Sequence, residues 1–125
     1  MKEGNVIQEK SFAFAIRVIR LYRHLLERKT DVVLIRQLLR SGTSIGANVE
    51  EAIGGQSKKD FIAKMSISYK EARETNYWLR LLAETEVLTK KEAESMLYDS
   101  DKLLKILASI LKTSSVTKDR PIANS

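Results

Sequence analysis

The residues of this chain best suited to chemistry are cations. Arg17, Arg20, His24 and Arg28 recur at spacings of three and four, which places them on one face of a helix. Arg23 stands beside them, and Arg36 and Arg40 follow one turn apart. A guanidinium stripe of this kind pairs with phosphates whatever the base sequence, through contacts that salt weakens. No aromatic residue interleaves with it to stack on unpaired bases, so structured RNA or duplex DNA suits it better than an isolated strand. A solvated face that keeps the helix soluble is the other reading of the same charges. Catalytic constellations are harder to build. A di-metal carboxylate bundle needs Glu-x-x-His on two helices, and His24 is the single histidine, with Leu21 three residues before it. Glu71-x-x-Glu74 and Glu50-Glu51 have no convergent third ligand and read as salt-bridge partners. Gly54-Gly55 lacks the Lys-Ser/Thr of a phosphate loop, and no serine has a plausible base. The expectation is a non-enzymatic protein without metal or cofactor.

Something must hold the stripe, and length and composition bound what it is. A chain of 125 residues supports one core. Its 22 Lys+Arg against 16 Asp+Glu give a formal charge of +6, a balance that favours polyanionic partners. The charge is front-loaded: residues 1–40 sum to +5, residues 41–88 to −1 and residues 89–125 to +2. The absence of cysteine fits a reducing compartment. No stretch approaches the roughly 20 apolar residues that span a bilayer. A cytoplasmic location with no membrane association is expected.

The single proline is Pro121, so long helices meet no obstacle over the first 115 residues. The apolar pattern lapses around residues 27–31, 54–57 and 84–89. Each lapse ends on a capping residue: Asp31 or Thr30, Ser57, and Thr89 with Glu92 at capping-box spacing. The pattern predicts helices near 8–28, 32–53, 58–84 and 90–113, an N-terminal extension over 1–7 and a mobile tail over 114–125. Their apolar residues alternate at three and four, and short connections make neighbours antiparallel, which predicts an all-α, up-down-up-down four-helix bundle. The first helix carries two apolar stripes. Phe12, Ala15, Ile19, Tyr22 and Leu26 are assigned to the core. Phe14, Val18, Leu21 and Leu25 form a surplus that, with Tyr77 and Trp78, is expected either to join copies of the chain or to be absorbed by a wide core face.

The second helix places small residues where its period demands the interior. Gly42 and Gly46, one turn apart, cost helix stability and are expected to let a neighbouring helix pack closely. If the chain folds back at Gly54-Gly55, positions 44 and 68 lie level. Arg40, Ser44, Asn48, Glu51, Ser68, Glu71 and Thr75 are then expected to form a buried or half-buried polar network that fixes the register of helices two and three.

Three blocks in order, Arg40-Ser-Gly-Thr-Ser-Ile-Gly-Ala-Asn-Val-Glu-Glu-Ala52, Ser57-Lys-Lys-Asp-Phe61 and Glu71-Ala-Arg-Glu-Thr-Asn-Tyr-Trp-Leu79, resemble the four-helix-bundle family encoded in intervening sequences of bacterial 23S ribosomal RNA genes. The resemblance covers about residues 8–113. It implies a small bacterial protein, a left-handed antiparallel bundle and a ring-like homopentamer. A related family, the accessory variability protein of diversity-generating retroelements, shares that plan and binds nucleic acid beside a reverse transcriptase. Three functions are therefore weighed: a nucleic-acid-associated oligomer, a scaffold that captures a protein encoded nearby, and, least supported by the residues, an enzyme that a metal or ligand would stabilise.

Overall fold

A computed structural model describes the backbone of residues 2–124 and the side chains of residues 5–115. Four helices follow one another: α1 (Lys2–Leu26), α2 (Val32–Ile53), α3 (Lys58–Glu84) and α4 (Lys90–Asn124). Each packs on its sequence neighbour and α1 closes on α4, while among the described residues the diagonal pairs stay apart. This is the antiparallel four-helix bundle.

The caps fall where residue chemistry requires. Asp31 accepts from the Val33 N–H at 3.1 Å and Ser57 Oγ accepts from the Asp60 N–H at 3.0 Å. Thr89 and Glu92 close a reciprocal box, the Thr89 N–H donating to Glu92 Oε1 at 2.9 Å and the Glu92 N–H donating to Thr89 Oγ1 at 3.1 Å. Gly54 caps α2 with φ −80°, so its freedom to take positive φ is unused. That conformation falls instead to Lys29 (φ 55°) and Glu86 (φ 65°). Around Glu86 the Val87 N–H reaches the Leu82 carbonyl at 2.9 Å and the Glu86 N–H the Ala83 carbonyl at 3.1 Å. The pattern is a Schellman motif with Glu86 at the left-handed position.

α1 corrects the expected orientation of the first helix. Phe14, Val18 and Leu21, assigned to an interface between copies, are core residues with exposures of 2%, 0% and 9%, joined by Ile7 and Leu25. Phe12 and Leu26, assigned to the core, are exposed. Turning the Phe12–Leu26 stripe inward would carry Gln8 and Arg23 toward the apolar interior, at a cost that no partner there offsets. As it stands, Gln8 Nε2 donates to Glu50 Oε1 at 2.9 Å and Arg23 is exposed. The core stripe extends back to Ile7, and the helix, which begins at Lys2, takes in residues 2–7 of the expected N-terminal extension. At the other end, Ser114 is buried and helical. The rest of the expected tail, from residue 116 on, lies outside the residues whose side chains are described.

The glycines serve a different neighbour from the one the fold-back suggested. A Cβ on Gly42 would sit 2.8 Å from Val18 Cγ1, and one on Gly46 would sit 3.4 Å from the Ser11 carbonyl oxygen and hydroxyl. The glycines thus face α1, while α2 also packs closely on α3. The α2–α3 seam is held by polar groups. Ser68 Oγ donates to the Ile45 carbonyl at 2.9 Å, and the Thr75 and Ser41 hydroxyls meet at 2.9 Å in a fully buried contact.

Candidate nucleic-acid interface

The structure divides the cationic stripe into tied and free members. Arg17 on α1 forms an ion pair with Asp99 on α4 and donates to Ser95 Oγ at 2.7 Å. Arg28 binds Glu92 through both amino groups, at 2.8 and 2.6 Å, and its Nη1 donates to the Val87 carbonyl at 3.2 Å. Arg17 is an α1–α4 strut, whereas Arg28, expected on the same helix face, lies beyond the end of α1 and ties the α1–α2 turn to α4. The Arg28 hydrogen bonds are the largest cause holding the Glu92 carboxyl at about 2, with the Thr89 cap adding to them, and the Arg28 guanidinium is raised in return. Arg20, Arg23 and His24 on α1, and Arg36 on α2, are exposed, and their side chains make no hydrogen bond or ion pair among the described residues.

Two lysines missing from the expected stripe join its free members. Lys10 and Lys102 line a shallow cleft of about 140 Å³ between α1 and α4, with Ala13, Phe14, Asp99 and Leu103. Lys102 Nζ lies 4.5 Å from the centre of the exposed Tyr98 ring. Lys10 stands seven residues before Arg17 and fourteen before His24, so heptad spacing was the signal for it. Lys102 depends on α4 lying against α1, which no local pattern encodes. Glu9 and Glu27, both exposed, flank the free cations near the two ends of α1.

The expected polar network forms as separate contacts. Arg40 pairs with Glu71 at 3.3 Å and with Glu74, and Trp78 Nε1 donates to Glu74 Oε2 at 2.9 Å. Ser44 and Asn48 turn back on their own helix, to the Arg40 carbonyl at 2.7 Å and the Ser44 carbonyl at 2.8 Å, so Ser44 does not meet Ser68. Glu51 pairs with Lys64 at 3.1 Å. Thr75 Oγ1 lies 2.8 Å from the Glu71 carbonyl as well as meeting Ser41. Arg40 is therefore committed to α3. Of the apolar residues assigned to an interface, Tyr77 is 48% exposed and Trp78 is half-buried against the core. Among the described residues no group of three or more His, Cys, Asp or Glu side chains converges to hold a metal, and no helix is long and apolar enough to cross a membrane.

A four-helix bundle whose small-residue seam joins α1 to α2, with unpaired cations along its first helix, defines a class of small basic helical proteins. The chain matches the family model described as 23S rRNA-intervening sequence protein over residues 3–109, and it belongs to that family. A solved structure from Bacteroides thetaiotaomicron, described as a protein with unknown function from the S23 ribosomal protein family, is 48% identical and superposes with a TM-score of 0.85. That match covers 88% of this chain and 98% of the other. No curated protein matches the chain. Neither the family description nor that of the solved structure names a reaction.

Proposed function

We propose that this protein is a non-enzymatic, cytoplasmic homo-oligomer that associates with the phosphate backbone of structured RNA or duplex DNA through the α1–α4 face. The observation that carries the reading is the set of exposed cations without carboxylate partners: Arg20, Arg23, His24, Lys10 and Lys102, with Arg36 on α2. Arg17 supports the face by bracing α1 against α4 and Arg28 by tying the α1–α2 turn to α4, and neither contacts phosphate. Self-association falls to the apolar strip that α1 leaves outside the core, Phe12, Ile16, Ile19 and Leu26, which recur at three to seven and run beside Arg20 and Arg23. Five copies in a ring is the assembly that the family resemblance implies.

The test is a titration of the purified chain with duplex RNA at two salt concentrations. About four phosphate contacts predict a loss near 100-fold between roughly 50 and 200 mM salt. Retention that ignores salt, or no retention at low salt, overturns the reading in favour of a protein-capturing scaffold.

A further inference from the structure

Exposed aromatic and cationic residues also stand together on α3. Arg73, Tyr77 and Arg80 recur at four and three along α3, and each lines a cavity that α4 shares. Two neighbouring open cavities run along this edge and share Arg80. One, of about 220 Å³, is lined by Tyr69, Arg73, Asn76, Arg80 and Leu104. The other, of about 470 Å³, is lined by Tyr77, Arg80, Leu81, Ala83, Glu84 and Leu97. Leu97, Leu104 and Tyr69 pack on the core beneath and form an apolar floor.

The groove's polar groups are held in place from below. Asn76 Nδ2 donates to Ser100 Oγ at 3.1 Å and to Asp101 Oδ1 at 3.0 Å, so the amide is anchored across to α4. Its Oδ1 accepts from Arg80 Nε at 2.9 Å. That bond leaves the two terminal amino groups of Arg80 without a partner, as Arg73 is altogether. The Arg80 guanidinium also lies 5.9 Å from the centre of the Tyr77 ring, and Trp78 meets that ring edge-on at 5.1 Å. Glu84 is the carboxylate at one end, and Asp101 is already engaged by Asn76.

We infer that this α3–α4 groove binds an unpaired, single-stranded segment of nucleic acid, with bases stacking on Tyr77 and Tyr69 and phosphates on Arg73 and Arg80. An apolar floor, an exposed phenol ring and cations free of carboxylates together fit a ligand with flat apolar faces and repeated negative charge. A duplex keeps its bases stacked inside and offers the tyrosines nothing. Tyr69 and Tyr77 are eight residues apart, about 12 Å along the helix, a span of roughly three to four stacked nucleotides. The inference does not depend on the α1–α4 face: it uses other residues and another form of the polymer.

Trp78, the single tryptophan, provides the readout, because a base on Tyr77 lies against its neighbour. The experiment titrates the full chain with a short oligouridylate and, separately, with a fully paired RNA duplex, following Trp78 fluorescence and the anisotropy of the labelled RNA. The single strand is expected to change Trp78 emission. Tyr77→Ala should weaken single-strand binding about 5- to 150-fold, whereas Tyr77→Phe should preserve it. Arg73→Gln with Arg80→Gln should lower the salt slope by about 1.4, the value for two single-strand phosphate contacts. Tyr77→Ala should leave duplex affinity near that of the parent, which separates failure of this inference from failure of the α1–α4 reading. The inference is overturned if the oligouridylate does not bind, if Tyr77→Ala and the double glutamine variant bind it like the parent, or if Tyr77→Ala weakens duplex binding equally.

Discussion

Gly42 and Glu92 each do a task that no other residue type at the position can do unchanged. The seam between α1 and α2 closes over Gly42, where a methyl group would lie 2.8 Å from Val18 Cγ1. Gly42→Ala gains up to about 1 kcal/mol in helix propensity and loses about 1–3 kcal/mol to overpacking, so net destabilisation is expected in urea unfolding. Gly46→Ala meets only ordinary contact at 3.4 Å and should be neutral or stabilising by up to about 1 kcal/mol. Equal effects at the two positions would contradict this account of the seam. Glu92 answers both the Thr89 cap and Arg28, and its carboxyl is lowered from 4.5 to about 2. A depressed carboxyl stabilises the fold fully above its unfolded value and progressively less as pH falls from 4.5 toward 2. Allowing for the partial exposure of the pair, the contribution is about 2 kcal/mol. Glu92→Gln keeps the capping geometry and should remove that part of the acid dependence, as unfolding measured at pH 7 and near pH 3 would reveal.

Helix ends were the most legible elements, because Asp31, Ser57 and the Thr89/Glu92 pair announce themselves through hydrogen-bonding chemistry that is local in sequence. The starts of α2, α3 and α4 follow from them. The rotation of α1 was not legible, since two apolar stripes compete there. What decides between them is the fit of Val18 and Ser11 against glycines on a helix some thirty residues away. The same limit applies to the turns. Gly54-Gly55 draws attention, yet it is Glu86 that takes the left-handed conformation closing α3. A non-glycine residue held there costs about 1–2 kcal/mol, part of which glycine recovers. Glu86→Gly is therefore expected to stabilise the protein by about 0.5–1 kcal/mol, raising its thermal midpoint. A lower midpoint would show that the Glu86 side chain contributes more than its backbone conformation costs.

At the scale of the whole molecule, two kinds of surface lie side by side on α1. Phe12 and Leu26, exposed at 65% and 43%, belong to an apolar strip, and Arg20, Arg23 and His24 to a cationic one. Phe12→Asp with Leu26→Asp should lower the mass measured by light scattering while leaving helix content unchanged, since neither side chain belongs to the core. An unchanged mass would move self-association to another face. The cationic stripe was legible as a stripe, from spacing alone. Its division into struts and free charges was not, because Asp99 and Glu92 reach Arg17 and Arg28 only once α4 lies against α1. That division yields the most direct measurement: duplex RNA affinity at low salt for Arg20→Glu with Arg23→Glu, compared with Arg17→Gln with Arg28→Gln. The first pair is expected to reduce binding at least about 10-fold in a chain of unchanged stability, each charge accounting for one phosphate contact or more. The second is expected to lower stability and leave affinity near that of the parent. Equal affinities for all three proteins, or a loss confined to the second pair, would contradict the account.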